Sequence, residues 1–136
     1  MSGRPSFLLL LAVAVLTGCG DGRPPVYPVS GTVQFSSGIP VRHGKVELES
    51  MEHGITATGT IQHDGSFVLG TYTADDGAVA GDHRAIVVQI VVADGSFLHS
   101  VDHGKPVPVH YADYGRSPLQ MTVSDTEPNH LVIELD

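Results

Sequence analysis

Residues 85–92 read AIVVQIVV, an almost continuous run of apolar and mostly β-branched side chains. A strand with one face in water alternates apolar and polar residues, whereas a run without alternation is typical of a strand covered on both faces. We therefore expect residues 85–92 to form a central strand in the middle of the hydrophobic core.

Shorter segments on both sides of this run show the alternation of half-buried strands, and no helical window of convincing length separates them. They are residues 29–35, 46–49, 56–62, 66–72, 119–123 and 131–135. Residues 94–118, with their glycines and prolines, are more typical of a connecting loop. About seven strands at this spacing predict an all-β fold, an antiparallel sandwich.

Alternation also predicts which side chains face the core. The turn signal His63-Asp64-Gly65 indicates a β-hairpin, and it leads into a strand whose Phe67 and Leu69 share one face. In the last segment Leu131, Ile133 and Leu135 point inward, whereas His130, Val132 and Glu134 point outward.

The N-terminal part of the chain has a different pattern. An apolar segment over residues 7–16 ends in Leu16-Thr17-Gly18-Cys19, which holds the only cysteine. A membrane-spanning helix needs roughly 20 apolar residues, and this segment has the length of a signal-peptide h-region instead. A buried core helix is the alternative, but the glycines and prolines that follow at once argue against it.

Small residues followed directly by a cysteine resemble the lipobox of bacterial lipoproteins. The resemblance implies that residues 1–18 are a lipoprotein signal peptide and that the thiol of Cys19 is acylated. Residues 20–28 read GDGRPPVYP, so residues 19–28 are interpreted as the acylated cysteine and a flexible tether. The usual retention signal, an aspartate directly after the cysteine, is replaced by Gly20, which favours the outer membrane if there are two.

Charge and cysteine content restrict the remaining domain. Residues 19–136 contain six Lys and Arg against 15 Asp and Glu, which leaves a formal net charge of −9. Such a charge repels nucleic acid, so no nucleic-acid partner is expected. A lone cysteine allows no disulfide within the chain, and a length of about 100 to 150 residues is typical of one domain.

Four motifs occur in order along this domain: VSGTV at residues 29–33, GKV at 44–46, DGSFVL at 64–69 and GAVAGDHR at 77–84. Together they resemble the carboxypeptidase regulatory-like, transthyretin-like domains of small bacterial envelope lipoproteins, over most of residues 29–136. The resemblance implies a prealbumin-like (Ig-like) sandwich of about seven strands, usually without catalytic machinery of its own. His83 departs from the pattern, which usually has an aromatic residue there.

The histidines are the residues that most suggest chemistry. On a helix, His99 and His103 would share a face at a spacing compatible with zinc, and Asp102 or His110 could add a ligand. The surrounding glycines and prolines disfavour that helix, and no glutamate lies between the histidines as in HExxH. We expect solvated loop histidines, no metal and no cofactor.

These observations favour a lipid-anchored cell-envelope β-sandwich that acts as a non-catalytic binding or structural module. Its expected partners are the membrane, through the lipid on Cys19, and an envelope protein or polymer. The lack of tryptophan weakens the case for a glycan. The alternative is a metal-dependent enzyme or metal-binding lipoprotein that uses the loop with His99, His103 and His110.

Overall fold

The computed structural model describes residues 20–89 and 104–136. The predicted signal peptide and Cys19 lie outside the described residues, as do His99, Asp102 and His103.

The described residues form an all-β structure, as the sequence predicts. Their strands are β1 (Val26–Tyr27), β2 (Val29–Phe35), β3 (Lys45–Ser50), β4 (Thr56–Thr60), β5 (Ser66–Val68), β6 (Ala78–Val79), β7 (Gly81–Val88), β8 (Gln120–Val123) and β9 (Asn129–Leu135). The helical residues within this part of the chain are one 3-10 turn, Val109–Ala112. No helix of the described residues is long and apolar enough to cross a membrane.

The strands form three sheets, with orders β1-β6, β5-β2-β9 and β4-β3-β7-β8. The expected antiparallel pairing holds for every strand pair of these sheets except β2 with β9, which run parallel from Val29 opposite Asn129 to Phe35 opposite Leu135. Alternation did not reveal this direction, because side chains alternate with the same period in parallel and antiparallel strands.

Both larger sheets contribute side chains to one hydrophobic core. Val33 from β2 and Ile133 from β9 are completely buried, and they belong to the same cluster as Leu48 from β3 and Val87 from β7. The outward positions of β9, including Val132 and Glu134, are exposed, as alternation predicts. Burial of these apolar surfaces is the main stabilising contribution to the fold.

The run that was expected to be central lies in β7, between β3 and β8. Ala85, Ile86 and Val87 are all buried although successive residues of a strand point to opposite faces, so β7 is covered on both faces here. The strand begins at Gly81, four residues before the apolar run, and residues 90–92 lie outside the described residues.

The predicted turn is present between β4 and β5. The amide of Gly65 donates to the carbonyl of Gln62 (2.9 Å), and the amide of Gln62 donates to the carbonyl of Ser66 (2.8 Å). Gly65 has φ +87°, a left-handed conformation that closes such a turn without steric cost only for glycine. The predicted β-hairpin is not formed, because β4 and β5 belong to different sheets and the turn carries the chain from one sheet to the other.

A close approach between β2 and β5 follows directly after this turn. Gly31 is paired with Phe67, and a Cβ added to Gly31 would lie 2.5 Å from Cζ of that ring and 2.3 Å from the carbonyl oxygen of Leu131. The ring therefore occupies the space that a side chain at position 31 would need.

His83 occupies a core position of β7, with 1% of its surface exposed. Its Nδ1 donates to the carbonyl of Gly81 (3.0 Å), while Nε2 has no hydrogen-bond partner in the described part of the chain. Burial lowers the pKa of this imidazole, because the charged form loses its hydration.

The packing at Phe67 predicts opposite outcomes for neighbouring substitutions. Phe67→Ala leaves a cavity over Gly31 and should lower the free energy of unfolding by about 3 to 5 kcal/mol. Val68→Thr alters a side chain that is 46% exposed and should stay within about 0.5 kcal/mol of wild type. Denaturant melts measure both values, and a larger loss for Val68→Thr would contradict the assignment of faces.

Candidate functional site

An open groove of about 900 Å³ lies on the surface of the described residues. Its floor comes from the outer faces of β2, β4 and β5, and the loop over residues 70–75 forms a wall. Its volume lies within the range of about 300 to 1,000 Å³ that is typical of ligand sites.

Many of the residues that line this surface carry a hydroxyl group. Eight of the 17 lining residues carry one, and we call the surface they form the hydroxyl groove: Ser30, Thr32, Thr58, Thr60, Ser66, Thr71, Tyr72 and Thr73. Asp75 is the one lining residue with a permanently charged side chain. The polar side chains of the groove are therefore mostly neutral hydrogen-bonding groups.

Several of these hydroxyls are already occupied within the protein. Ser66 donates to Asp64 (2.6 Å), Thr71 to the carbonyl of Gly77 (2.7 Å) and Tyr72 to the carbonyl of Pro24 (2.9 Å). In contrast, the hydroxyls of Thr32, Thr58 and Thr60 make no hydrogen bond with the described part of the chain. These three groups are available to a ligand.

The wall of the groove is organised by Asp76. Its carboxylate accepts hydrogen bonds from the amides of Thr71 (2.6 Å), Tyr72 (3.1 Å) and Thr73 (3.0 Å). Burial alone would raise the pKa of Asp76, but the three amide donors favour the charged form more strongly and hold the pKa below its ordinary value. The shape of the wall thus depends on an ionised carboxylate.

The N-terminal segment is attached at the same end of the groove. The Arg23 guanidinium lies 4.6 Å from the centre of the Tyr72 ring, whose hydroxyl binds the carbonyl of Pro24. Val26–Tyr27 then forms β1 and pairs with β6. Within the segment interpreted as a tether, the residues from Pro24 onward are therefore held against the domain.

One serine and one histidine approach each other in the groove. Oγ of Ser30 lies 3.4 Å from Nδ1 of His130, which is long for a hydrogen bond, and both residues are exposed. No carboxylate of the described chain lies within 4.0 Å of His130. Activation of a serine needs a base that is itself oriented by a third group, and this arrangement lacks that group.

A second polar cluster lies on the outer face of the four-stranded sheet. Arg84 donates to Glu49 through Nη2 (2.7 Å) and lies 4.9 Å from the centre of the Tyr114 ring. Burial, together with the carboxylates of Glu47 and Glu49, raises the pKa of Tyr114 to about 12. With this pKa the phenol of Tyr114 stays protonated at neutral pH.

Cys19, His99, Asp102 and His103 lie outside the described residues. His110 lies in the 3-10 turn, with its ring stacked on Tyr111 at a centroid distance of 4.1 Å. Across residues 20–89 and 104–136, no three His, Cys, Asp or Glu residues come together as metal ligands.

Sequence reasoning missed the hydroxyl groove. Its signal is the small hydroxyl side chains at outward positions of three strands: Ser30 and Thr32 in β2, Thr58 and Thr60 in β4, and Ser66 in β5. Comparisons of the chain with protein-family models, curated proteins and solved structures return no match.

The Asp76 network predicts a pH-dependent contribution to stability. Asp76→Asn places an amide NH₂ opposite a backbone N–H and should lower the free energy of unfolding by about 1 kcal/mol or more near neutral pH. Because the folded pKa is lowered, this contribution is fully present above the unfolded pKa of about 3.9 and is lost as pH falls through the folded pKa.

The difference between Asp76→Asn and wild type should therefore shrink at about pH 3. The control is Asp75→Asn, since Asp75 is exposed and asparagine tolerates its φ of +60°. Denaturant melts near neutral pH and at about pH 3 provide the test. Equal losses in the free energy of unfolding for the two variants would contradict the role given to Asp76.

Proposed function

We propose that this protein is a lipid-anchored cell-envelope protein whose β domain is a non-catalytic binding or structural module, with the hydroxyl groove as its ligand-contact surface. The groove, with three unoccupied threonine hydroxyls and no oriented nucleophile among its residues, is the observation that carries the proposal.

We further propose that the domain is a prealbumin-like sandwich, as the resemblance implies. The two larger sheets contain three and four strands, and both contribute to one core. Seven strands in two such sheets are consistent with that architecture. The parallel pairing of β2 with β9 joins the first and last strands of these sheets.

The chemistry of the groove favours a neutral partner with many hydrogen-bonding groups. Backbone amides of an extended protein segment or the polar groups of an envelope polymer both meet this description. The buried ring of Phe67 offers no exposed stacking platform, and the ring of Tyr72 is already covered by Arg23. A polymer that binds by stacking on aromatic rings therefore fits less well.

The position of the proposed anchor is consistent with this role. Cys19 precedes Pro24 by five residues, a stretch of at most about 18 Å when fully extended. A lipid on Cys19 would hold the Tyr72 end of the groove close to the membrane surface. The groove would then meet partners that lie near the bilayer.

A photo-crosslinking experiment in intact cells tests both parts of the proposal. Benzoylphenylalanine is placed at Thr60 in the groove or, as the matched control, at Thr122, an exposed threonine of β8. We expect a covalent adduct at Thr60, absent at Thr122, in the membrane fraction. Cys19→Ser should move the protein out of that fraction, because acyl chains contribute about 0.8 kcal/mol of membrane binding per buried CH₂.

The lipid anchor and the groove can be disproved independently of each other. An unmodified Cys19 thiol in membrane-purified protein, detected by mass spectrometry, would exclude the lipid anchor. Equal adducts at Thr60 and Thr122 would exclude the groove as the contact surface even if the anchor is present.

A further inference from the structure

Within residues 20–89 and 104–136, the outer edge of β9 is unpaired. β9 lies at the end of the sheet β5-β2-β9, and no strand of the described chain pairs with its other edge. At seven residues it matches β2 as one of the longer strands of the fold. Unpaired backbone groups along such an edge are a template for another strand.

The pairing with β2 fixes which backbone groups face this edge. The amide of Ser36 donates to the carbonyl of Leu135 (2.7 Å), so Leu135 directs its backbone groups toward β2. Alternate residues of a strand direct them to opposite edges. The N–H and C=O groups of His130, Val132 and Glu134 therefore point to the free edge.

The side chains of these three residues form a self-complementary series. His130, Val132 and Glu134 are all exposed, and Val132 is 53% exposed although it is apolar. In an antiparallel pair of two such strands centred on Val132, valine would face valine, and each His130 would face a Glu134. The two-fold symmetry of the pair thus produces two cross-strand contacts between an imidazole and a carboxylate.

We infer that the free edge of β9 binds the β9 edge of a second copy of this chain, antiparallel and centred on Val132. The two copies of the sheet β5-β2-β9 become one continuous six-stranded sheet. The backbone groups of His130, Val132 and Glu134 in one copy then face those of Glu134, Val132 and His130 in the other. Each of these three residue pairs forms two backbone hydrogen bonds.

Other registers fit less well. In a register shifted by one residue, an exposed side chain of one copy would lie opposite a core-facing side chain of the other. Opposed residues share one face of a sheet, so this register would expose the buried face of one copy. Centring on Leu131 overlaps only part of the strand and brings Pro128, which has no N–H, into the ladder. Centring on Val132 pairs all seven residues of β9, from Asn129 opposite Leu135 onward.

Cysteine crosslinking in cells that express the full chain tests this register. In a Cys19→Ser background, Val132→Cys brings two thiols to facing positions, where Cα atoms about 5.5 Å apart suit a disulfide. Val68→Cys is the matched control, because Val68 is 46% exposed on β5, at the opposite end of the same sheet. Under diamide we expect at least about tenfold more covalent dimer from Val132→Cys.

Val132→Pro provides the second measurement. The N–H of Val132 points to the free edge, so proline removes an intermolecular donor without removing one within the domain. Sedimentation of the detergent-solubilised full chain at about 0.15 M salt, where repulsion between acidic chains is screened, should show a dimer for wild type and a monomer for Val132→Pro.

A monomeric wild type, or equal crosslinking at positions 132 and 68, would overturn the inference. If Val132→Pro fails to fold, the crosslinking comparison still decides. Neither readout requires a ligand or a lipid, so this inference can fail while the proposed function stands.

Discussion

The absence of a side chain at Gly31 allows β2 to approach two neighbouring strands at the same residue. On one side the ring of Phe67 fills the space of the missing Cβ, and on the other the carbonyl of Leu131 approaches it. A methyl group would collide with a buried ring and with the backbone of β9. The three-stranded sheet, which contributes residues such as Phe35, Phe67 and Ile133 to the core, depends on this close approach.

The function proposed for the protein depends on the same strands. The inward residues of β2 and β5 are buried in the core, and their outward serine and threonine residues line the hydroxyl groove. One pair of strands therefore contributes to both the core and the groove. Asp76 and Tyr72 hold the adjacent wall and the N-terminal segment. An anchor on Cys19 and a ligand in the groove would thus act on one end of the domain.

Local patterns in the sequence predicted the parts of the fold that depend on neighbouring residues. Alternation predicted β2 with its observed bounds and the outward position of Val132, and the Asp64-Gly65 signal predicted the turn between β4 and β5. The parallel pairing of β2 with β9 joins residues about a hundred positions apart, which no local pattern encodes. The groove was missed for the same reason, because its hydroxyls come together only when β2, β4 and β5 are assembled.

The stability of Gly31→Ala tests this central constraint most directly. Glycine in a strand interior normally costs about 0.5 to 1 kcal/mol relative to alanine, so propensity alone predicts that the substitution stabilises the protein. The close approach predicts the opposite sign, a loss of about 2 kcal/mol or more. Gly20→Ala, which meets no atom within 4 Å, is the control. Denaturant melts in which Gly31→Ala is as stable as Gly20→Ala would contradict the account.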